Sequence, residues 1–246
     1  MTSPDNHGSP PTIVLVHGAW ADASSWSRVV STLQHEGYKV RAIANPLRSL
    51  SGDATSVRAF LDSLTGPIVL VGHSYGGAVI TNAATGNPNI KALVYVDAFA
   101  PDTGENATAL AGPDSALSVD PTTVFDLVPP TFPPTAASDL YLKESTVFTS
   151  FANGLSDDEK AVVFATQRSA TVGALGEPSG TPAWRTIPSW YVLGTRDKII
   201  PPGVQRSMAE RAGSTIVEFD AGHVGLMSDP KTVTQVIEQA VRATVG

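Results

Sequence analysis

The stretch that decides the fold is IVLVGHSYGGA at residues 68–78. An apolar, β-branched run ends at Gly72, and a run compatible with a helix begins just after Ser74. This order predicts a strand, a sharp turn and a helix, which is the form that G-x-S-x-G takes when its serine is a nucleophile. The turn strains the serine backbone, so the positions two residues to either side must lack a Cβ, and Gly72 and Gly76 meet that need.

The same turn predicts where a negative charge would be stabilised. With Ser74 at the mouth of the helix, the backbone N–H of Tyr75 and the positive end of the helix dipole point toward a developing oxyanion. A bare G-x-S-x-G also occurs by chance in many chains. The hypothesis therefore depends on finding a base, an acid and a second oxyanion donor elsewhere in the chain.

Apolar runs and amphipathic segments alternate on both sides of this stretch. The runs have the continuous apolar character of strands buried on both faces, and the segments between them repeat apolar residues at helical spacing. This alternation predicts an α/β fold, in which helices flank a mostly parallel sheet of about six strands. The predicted strands are 13–16, 38–44, 68–72, 92–96, 190–193 and 215–219.

The alternation breaks between about residues 101 and 185, a region that includes the proline-rich VPPTFPP at 128–134. An insertion of this length is either a cap over a site or a disordered linker, and its scattered Phe and Leu favour the cap because they need a surface to pack on. Within it, Ser156 and Glu159 are spaced as a capping box that opens a helix. The predicted divisions are a flexible tail at 1–10, an α/β core at 11–100 and 186–246, and a cap at 101–185.

The composition excludes several kinds of partner and site. The 246 residues carry a formal net charge of −7 and no run of Lys or Arg, which disfavours nucleic acid or an anionic membrane as a partner. With no cysteine, the chain has no disulfide framework, thiol nucleophile or cysteine metal site. No stretch approaches the length of a membrane span, and the polar, Pro-rich start lacks the regions of a signal peptide. We therefore expect a cytoplasmic protein.

A serine hydroxyl needs a base at neutral pH, normally a histidine, and an acid that holds the tautomer of that histidine. Of the five histidines, we assign His223 as the base. It directly follows the last predicted strand, and α/β sheets place their sites in loops at the carboxyl ends of parallel strands. We expect His7 and His35 to be solvated. His17 is expected to brace the loop after the first strand, and His73 is expected to pack in the interior.

The acid has three candidates. Asp197 follows the strand at 190–193, and it completes the chain order Ser, Asp, His. Asp97, at the end of the strand after the nucleophile, is its rival. Asp220 is too close in sequence to His223 to reach across the imidazole ring easily. We prefer Asp197 because of its position after a strand of the second half.

The second oxyanion donor is expected in the loop HGAW at 17–20, which follows the first strand. Gly18 lets the backbone of this loop approach the nucleophile closely. We assign the backbone N–H groups of Ala19 and Tyr75 as the two donors.

These segments together resemble the α/β-hydrolase superfamily, and more narrowly its compact branch of plant methyl-ester esterases, hydroxynitrile lyases and bacterial esterases. The resemblance covers nearly the whole chain except the cap. The matching segments are VLVHGAW (14–20), VGHSYGG (71–77), VDAFAPD (96–102), IPSWYVLGTRDKIIPP (187–202) and AGHVGLMSDP (221–230). Two positions differ from the lyases of this branch, which carry a Thr where this chain has Gly18 and a Lys where it has Val224. Both differences favour ester hydrolysis.

The resemblance implies a serine hydrolase that forms an acyl-enzyme with Ser74, Asp197 and His223 and needs no metal or cofactor. Trp20 and the Phe- and Pro-rich cap indicate an apolar pocket for a small or medium carboxylic ester or lactone. Two alternatives remain: a lyase or cofactor-free perhydrolase on the same scaffold, and a non-catalytic protein that binds a small molecule. We assign the pocket to Gly18, Trp20 and Val224.

Overall fold

The centre of the computed structural model, which describes residues 10–245, is a six-stranded sheet. The strands of the described residues are β1 (Thr12–Val16), β2 (Lys39–Ile43), β3 (Ile68–His73), β4 (Ile90–Val96), β5 (Phe125–Val128), β6 (Asp139–Leu142), β7 (Ala170–Thr171), β8 (Ser189–Gly194) and β9 (Thr215–Phe219). The sheet has the order β2-β1-β3-β4-β8-β9, and every neighbouring pair is parallel. The predicted α/β fold is confirmed.

Helices connect the strands of this sheet and cover both of its faces. The α-helices of the described residues are α1 (Ser27–His35), α2 (Leu50–Asp62), α3 (Tyr75–Ala83), α4 (Ala107–Ala111), α5 (Pro121–Val124), α6 (Glu144–Thr146), α7 (Asp157–Thr166), α8 (Val172–Gly176), α9 (Pro202–Arg211), α10 (Gly225–Ser228) and α11 (Pro230–Val245). None of them is long and apolar enough to cross a membrane.

The sheet is buried most deeply at β3. All six residues of β3 are buried, and so are eight of the nine residues of α3, the helix that follows it. The edge strand β2, in contrast, buries only Val40. Because β3 is covered on both faces and interiors are close-packed, the turn between β3 and α3 has a well-packed support.

The region between β4 and β8 forms a second layer over the carboxyl ends of the central strands. It contains a small antiparallel sheet of β5, β6 and β7 and five short helices. The capping box predicted at Ser156 is present and opens α7. None of the residues of α7 is fully buried, and Val162 is 61% exposed, so this helix lies on the outside of the layer. Residues 1–9 of the predicted tail lie outside the described residues.

Candidate active site

The turn between β3 and α3 holds Ser74 in a strained backbone conformation, with φ of 52° and ψ of −125°. At three glycine positions around this turn there is no room for a side chain. A Cβ at Gly72 would lie 2.6 Å from the carbonyl oxygen of Gly76, and a Cβ at Gly76 would lie 2.4 Å from that of Val16. A Cβ at Gly77 would lie 2.4 Å from the carbonyl oxygen of Phe99. The strain at Ser74 therefore persists because close backbone packing surrounds it.

Ser74, His223 and Asp197 form a continuous line of hydrogen bonds. The imidazole Nε2 of His223 is 2.9 Å from Ser74 Oγ, and its Nδ1 is 2.8 Å from Asp197 Oδ2. All three residues are buried. Because Nδ1–H is donated to the carboxylate, Nε2 is left as the acceptor for the serine hydroxyl. The structure thus brings together the three residues that the sequence singled out.

Further donors hold Asp197 in place. Its Oδ1 accepts the backbone N–H groups of Ile199, at 2.7 Å, and Ile200, at 3.0 Å. Its Oδ2 also accepts a hydrogen bond from Nε2 of Gln205, at 2.8 Å, on α9. Gln205 is a residue that sequence reasoning missed, because no motif marks a glutamine one turn into a helix.

The two rival acids have different surroundings. Asp97 directs Oδ1 to the backbone N–H of Gly194, at 2.8 Å, and not to His223. Burial, and then the nearby charge of Asp197, raise the pKa of the Asp97 carboxyl well above its ordinary value. Asp220 is exposed and forms an ion pair with Arg196.

Two further histidines lie beside the line of hydrogen bonds. His73 is fully buried, and its Nε2–H donates to the backbone carbonyl of His223 at 2.8 Å. Burial lowers the pKa of His73 well below its ordinary value, so its imidazole is neutral and supports the His223 backbone. His17 accepts the backbone N–H of Asn45 at 3.0 Å and so braces the loop after β1.

That loop lies directly against Ser74. A Cβ at Gly18 would lie 2.6 Å from the Cβ of Ser74 and 2.9 Å from the carbonyl oxygen of His73. Among the described residues, none accepts a hydrogen bond from the backbone N–H of Ala19 or Tyr75. Two backbone donors without partners on either side of a buried serine are available to an anionic oxygen.

A cavity of about 230 Å³ opens from Ser74 toward the second layer. Its core wall includes Trp20 and Tyr75, whereas Val224 is buried and neither it nor Gly18 is among the lining residues. The side chains of the second layer that line the cavity are mostly apolar. They are Ala107, Thr108, Ala111, Leu117, Ser118, Pro121, Phe125, Leu127, Pro134, Leu140, Val172 and Leu175. Sequence reasoning did not find these residues, because they come from many short elements with no shared motif.

The Alpha/beta hydrolase family matches residues 13–236 of the chain. The carbendazim hydrolyzing esterase of Nocardioides sp. is 34% identical over 110 residues, which is 39% of this chain and 46% of that esterase. Methyl jasmonate esterase 1 of Vitis vinifera is 32% identical over 119 residues, which is 43% of this chain and 42% of that esterase. The chain thus matches less than half the length of either relative.

The likeness to a solved structure covers nearly the whole chain. A pyrethroid hydrolase from Sphingobium faniae superimposes with a TM-score of 0.74 over 95% of this chain and 98% of its own. The two sequences are 22% identical, so this likeness establishes the shared fold alone.

Proposed function

The chain belongs to the alpha/beta hydrolase family, and from that premise we propose that it is a serine esterase acting on small or medium apolar carboxylic esters. The observation that supports this most is the hydrogen-bonded line of Ser74, His223 and Asp197, which faces an apolar cavity. The esterases among its relatives support the reaction class. A lactone is an ester within a ring, and the same chemistry would open it.

In the proposed mechanism, Ser74 Oγ attacks the ester carbonyl while Nε2 of His223 takes the serine proton. Asp197 keeps the imidazole in the required tautomer and stabilises the imidazolium that forms. The tetrahedral oxyanion accepts hydrogen bonds from the backbone N–H groups of Ala19 and Tyr75. His223 then protonates the leaving alcohol, and an acyl-enzyme remains on Ser74.

Water completes the proposed cycle. His223 takes a proton from a water molecule, which attacks the acyl carbonyl, and the second tetrahedral intermediate collapses to release the acid and restore the Ser74 hydroxyl. Every step uses groups of this chain. The reaction as written needs no metal or cofactor.

The cavity favours uncharged substrates. None of the residues that line it is charged, and its few hydroxyl side chains include Thr108 and Ser118, which are exposed. Burying a charged group in such a site is costly, whereas each buried methylene contributes about 0.8 kcal/mol. A cavity of about 230 Å³ is larger than the roughly 150 Å³ that admits benzene. We infer a substrate whose buried part is a short aliphatic or single aromatic group.

The lyase alternative is disfavoured by the backbone around position 18. Because a Cβ there would meet Ser74 at 2.6 Å, the threonine that lyases of this branch carry does not fit this arrangement. Position 224 holds a buried valine in place of their lysine. The measurements below decide the binding-protein alternative, whereas formation of a peracid from an ester and hydrogen peroxide would support the perhydrolase.

The first test is hydrolysis of p-nitrophenyl acetate and butyrate by the wild type and by Ser74→Ala. We expect the substitution to lower kcat by at least about a thousandfold, because the nucleophile is lost while the fold is kept. Ser189→Ala is the matched control. It removes a buried hydroxyl at the start of β8, the end away from Asp197, where Ser189 Oγ lies 2.7 Å from Ser214 Oγ. Activity of Ser74→Ala within about tenfold of the wild type would contradict the proposal.

A fluorophosphonate labelling experiment separates an enzyme of narrow specificity from a binding protein. Covalent labelling of wild-type Ser74 with no labelling of Ser74→Ala supports an activated serine. Tight ligand binding without ester turnover, labelling or any effect of Ser74→Ala would favour the binding protein instead.

A further inference from the structure

Asp53 is a buried carboxyl group that the proposed mechanism does not use. It lies in the first turn of α2, is completely buried and is not among the residues that line the cavity. No described cationic side chain lies within ion-pair distance of it, which is unusual for a buried carboxyl. Its two oxygens instead accept one hydrogen bond each.

The first of these hydrogen bonds comes from the residue after the nucleophile. The hydroxyl of Tyr75 donates to Asp53 Oδ2 at 2.8 Å, and the Tyr75 side chain is almost completely buried. Burial and the neighbouring Asp53 raise the pKa of the Tyr75 phenol, so the hydroxyl keeps its proton and acts as the donor. One end of Tyr75 is therefore attached to α2 while its backbone N–H lies beside Ser74.

The second hydrogen bond comes from a segment that the cap region holds. The backbone N–H of Arg48 donates to Asp53 Oδ1 at 3.1 Å. Thr171, on β7, binds this segment twice, through its N–H to the carbonyl of Leu47 at 3.1 Å and through its hydroxyl to the carbonyl of Arg48 at 2.7 Å. Leu47 itself has a φ of 62°, a conformation that persists only when its surroundings impose it.

These contacts form one chain from the cap region to the nucleophile turn. Thr171 fixes the Leu47–Arg48 segment, that segment fixes the Asp53 carboxyl, and Asp53 fixes the Tyr75 side chain. Ser74 and Tyr75 are adjacent at a strained turn, where a small rotation of the backbone would turn the Tyr75 N–H away from the reacting oxygen. Donors act on an oxyanion only when they are held at about 2.7–3.1 Å from it.

We propose that Asp53 is a positioning residue, which holds Tyr75 so that its backbone N–H faces the oxyanion formed at Ser74. This inference rests on the proposed esterase function. Asp53 acts in the transition state through Tyr75 and has no contact with the substrate. Its removal therefore lowers kcat and leaves KM nearly unchanged.

The test compares wild type, Tyr75→Phe, Asp53→Leu, Asp53→Asn and the double variant Tyr75→Phe/Asp53→Leu. For each we measure kcat and KM with p-nitrophenyl butyrate, and Ki for a trifluoromethyl ketone. Such a ketone adds to the serine and presents an oxyanion, so its Ki reports the donor geometry directly. The melting temperature of each variant reports folding.

We expect Tyr75→Phe and Asp53→Leu each to lower kcat about tenfold and to raise the Ki of the trifluoromethyl ketone about tenfold. KM should stay within about twofold of the wild-type value. The double variant should lose no more than the worse single variant, because both remove the same hydrogen bond. Asp53→Asn should recover most of kcat. Its amide oxygen can accept the Arg48 N–H while its amide nitrogen donates to the Tyr75 hydroxyl oxygen.

Tyr95→Phe is the matched control. This substitution also removes a buried phenol hydroxyl, which is hydrogen-bonded to Thr81 Oγ1 at 2.8 Å. Tyr95 lies on β4 and does not line the cavity. We expect it to lower the melting temperature and to leave kcat and Ki unchanged, which separates positioning from general stability.

Two outcomes overturn the inference. If Tyr75→Phe keeps both kcat and Ki within about twofold of the wild type, the hydroxyl does not position the donor, and this holds even if Asp53→Leu fails to fold. If KM rises as much as kcat falls, the pair shapes the cavity instead. Absence of both ester turnover and fluorophosphonate labelling in the wild type would overturn the proposed function. Failure of the inference alone leaves wild-type turnover intact, so the two failures are distinguishable.

Discussion

Asp97 and Asp197 follow neighbouring strands, β4 and β8, but their partners make them chemically different. Asp197 contacts the imidazole of His223 and receives three further hydrogen bonds, which fix the orientation of its carboxylate. Asp97 receives a backbone N–H on one oxygen, and burial raises the pKa of its carboxyl well above the ordinary range. Burial therefore disfavours a second negative charge at Asp97, and this carboxyl makes no contact with the base of the proposed mechanism.

The raised pKa of Asp97 predicts how stability depends on pH. The unfolded chain loses the Asp97 proton above about pH 4, whereas the folded chain keeps it to higher pH, so the contribution of Asp97 to folding falls as the pH rises through this interval. The Asp97→Asn variant has no group that titrates at this position. We therefore expect the difference in free energy of unfolding, variant minus wild type, to rise with pH above about 4. The rise is about 1.4 kcal/mol per pH unit up to the pKa of Asp97 in the folded chain.

Urea denaturation at pH 4, 5, 6 and 7 measures this slope, and any constant loss from the new amide does not affect it. The control is Asp220→Asn, which removes an exposed carboxylate and leaves the buried carboxyl of Asp97 in place. A difference between Asp97→Asn and wild type that does not change with pH would show that Asp97 is already ionised in the folded chain.

Among the elements, β3, the turn at Ser74 and α3 depend on glycine for a reason that lies partly outside the turn. The sequence indicated Gly72 and Gly76 because a strained turn excludes a Cβ. In the structure a Cβ at Gly76 would meet the carbonyl oxygens of Val16, at 2.4 Å, and His17, at 2.8 Å, which belong to β1 and the loop after it. Gly76 is therefore also the place where α3 packs on the first strand.

We expect Gly76→Ala to destabilise the fold by about 3 kcal/mol, because backbone atoms of a buried strand cannot move away as a side chain can. The matched control is Gly203→Ala, at an exposed position in the first turn of α9 where a Cβ would have no neighbour within 4 Å. That variant should be neutral or stabilised by about 0.5–1 kcal/mol. Urea denaturation of both variants is the measurement, and equal stabilities would contradict the packing argument.

In the whole molecule, the site is complete only where the two layers meet. The central sheet supplies Ser74, Asp197 and His223, whereas the cap region supplies most of the cavity wall. Hydrogen bonds join the layers close to the nucleophile, since Trp20 donates its N–H to the carbonyl of Arg168 and its Nε1–H to that of Leu140. Under the proposed function, the size of the buried substrate group is therefore set by side chains that lie far in sequence from Ser74, Asp197 and His223.

Helix α4 offers a direct test of this division. Ala111 is buried and lines the cavity, whereas Ala109 on the same helix is exposed and does not. We expect Ala111→Leu to lower kcat/KM for p-nitrophenyl hexanoate by about tenfold and to leave the acetate ester within about twofold, because the added carbons fill space that only the longer chain uses. Ala109→Leu should change neither. Equal losses for both esters with Ala111→Leu would place the hexanoyl chain elsewhere.

The α/β sheet, the turn at Ser74 and the candidates for base and acid all follow from the amino-acid sequence. Each of these depends on a local pattern: an apolar run that ends at a glycine, or a polar residue just after a strand. Parallel strands align their carboxyl ends, so residues that follow strands at 74, 197 and 223 come together whatever the rest of the chain does.

The partners of Asp97, Gln205 and Asp53 and the residues of the cavity depend on the folded arrangement of the chain. Asp53 and Tyr75 are 22 residues apart on different helices, and their hydrogen bond exists because α2 and α3 pack side by side. The cavity wall likewise combines single side chains from many short elements. A local pattern carries no information about such pairs, because their geometry is set by long-range packing and not by spacing along the chain.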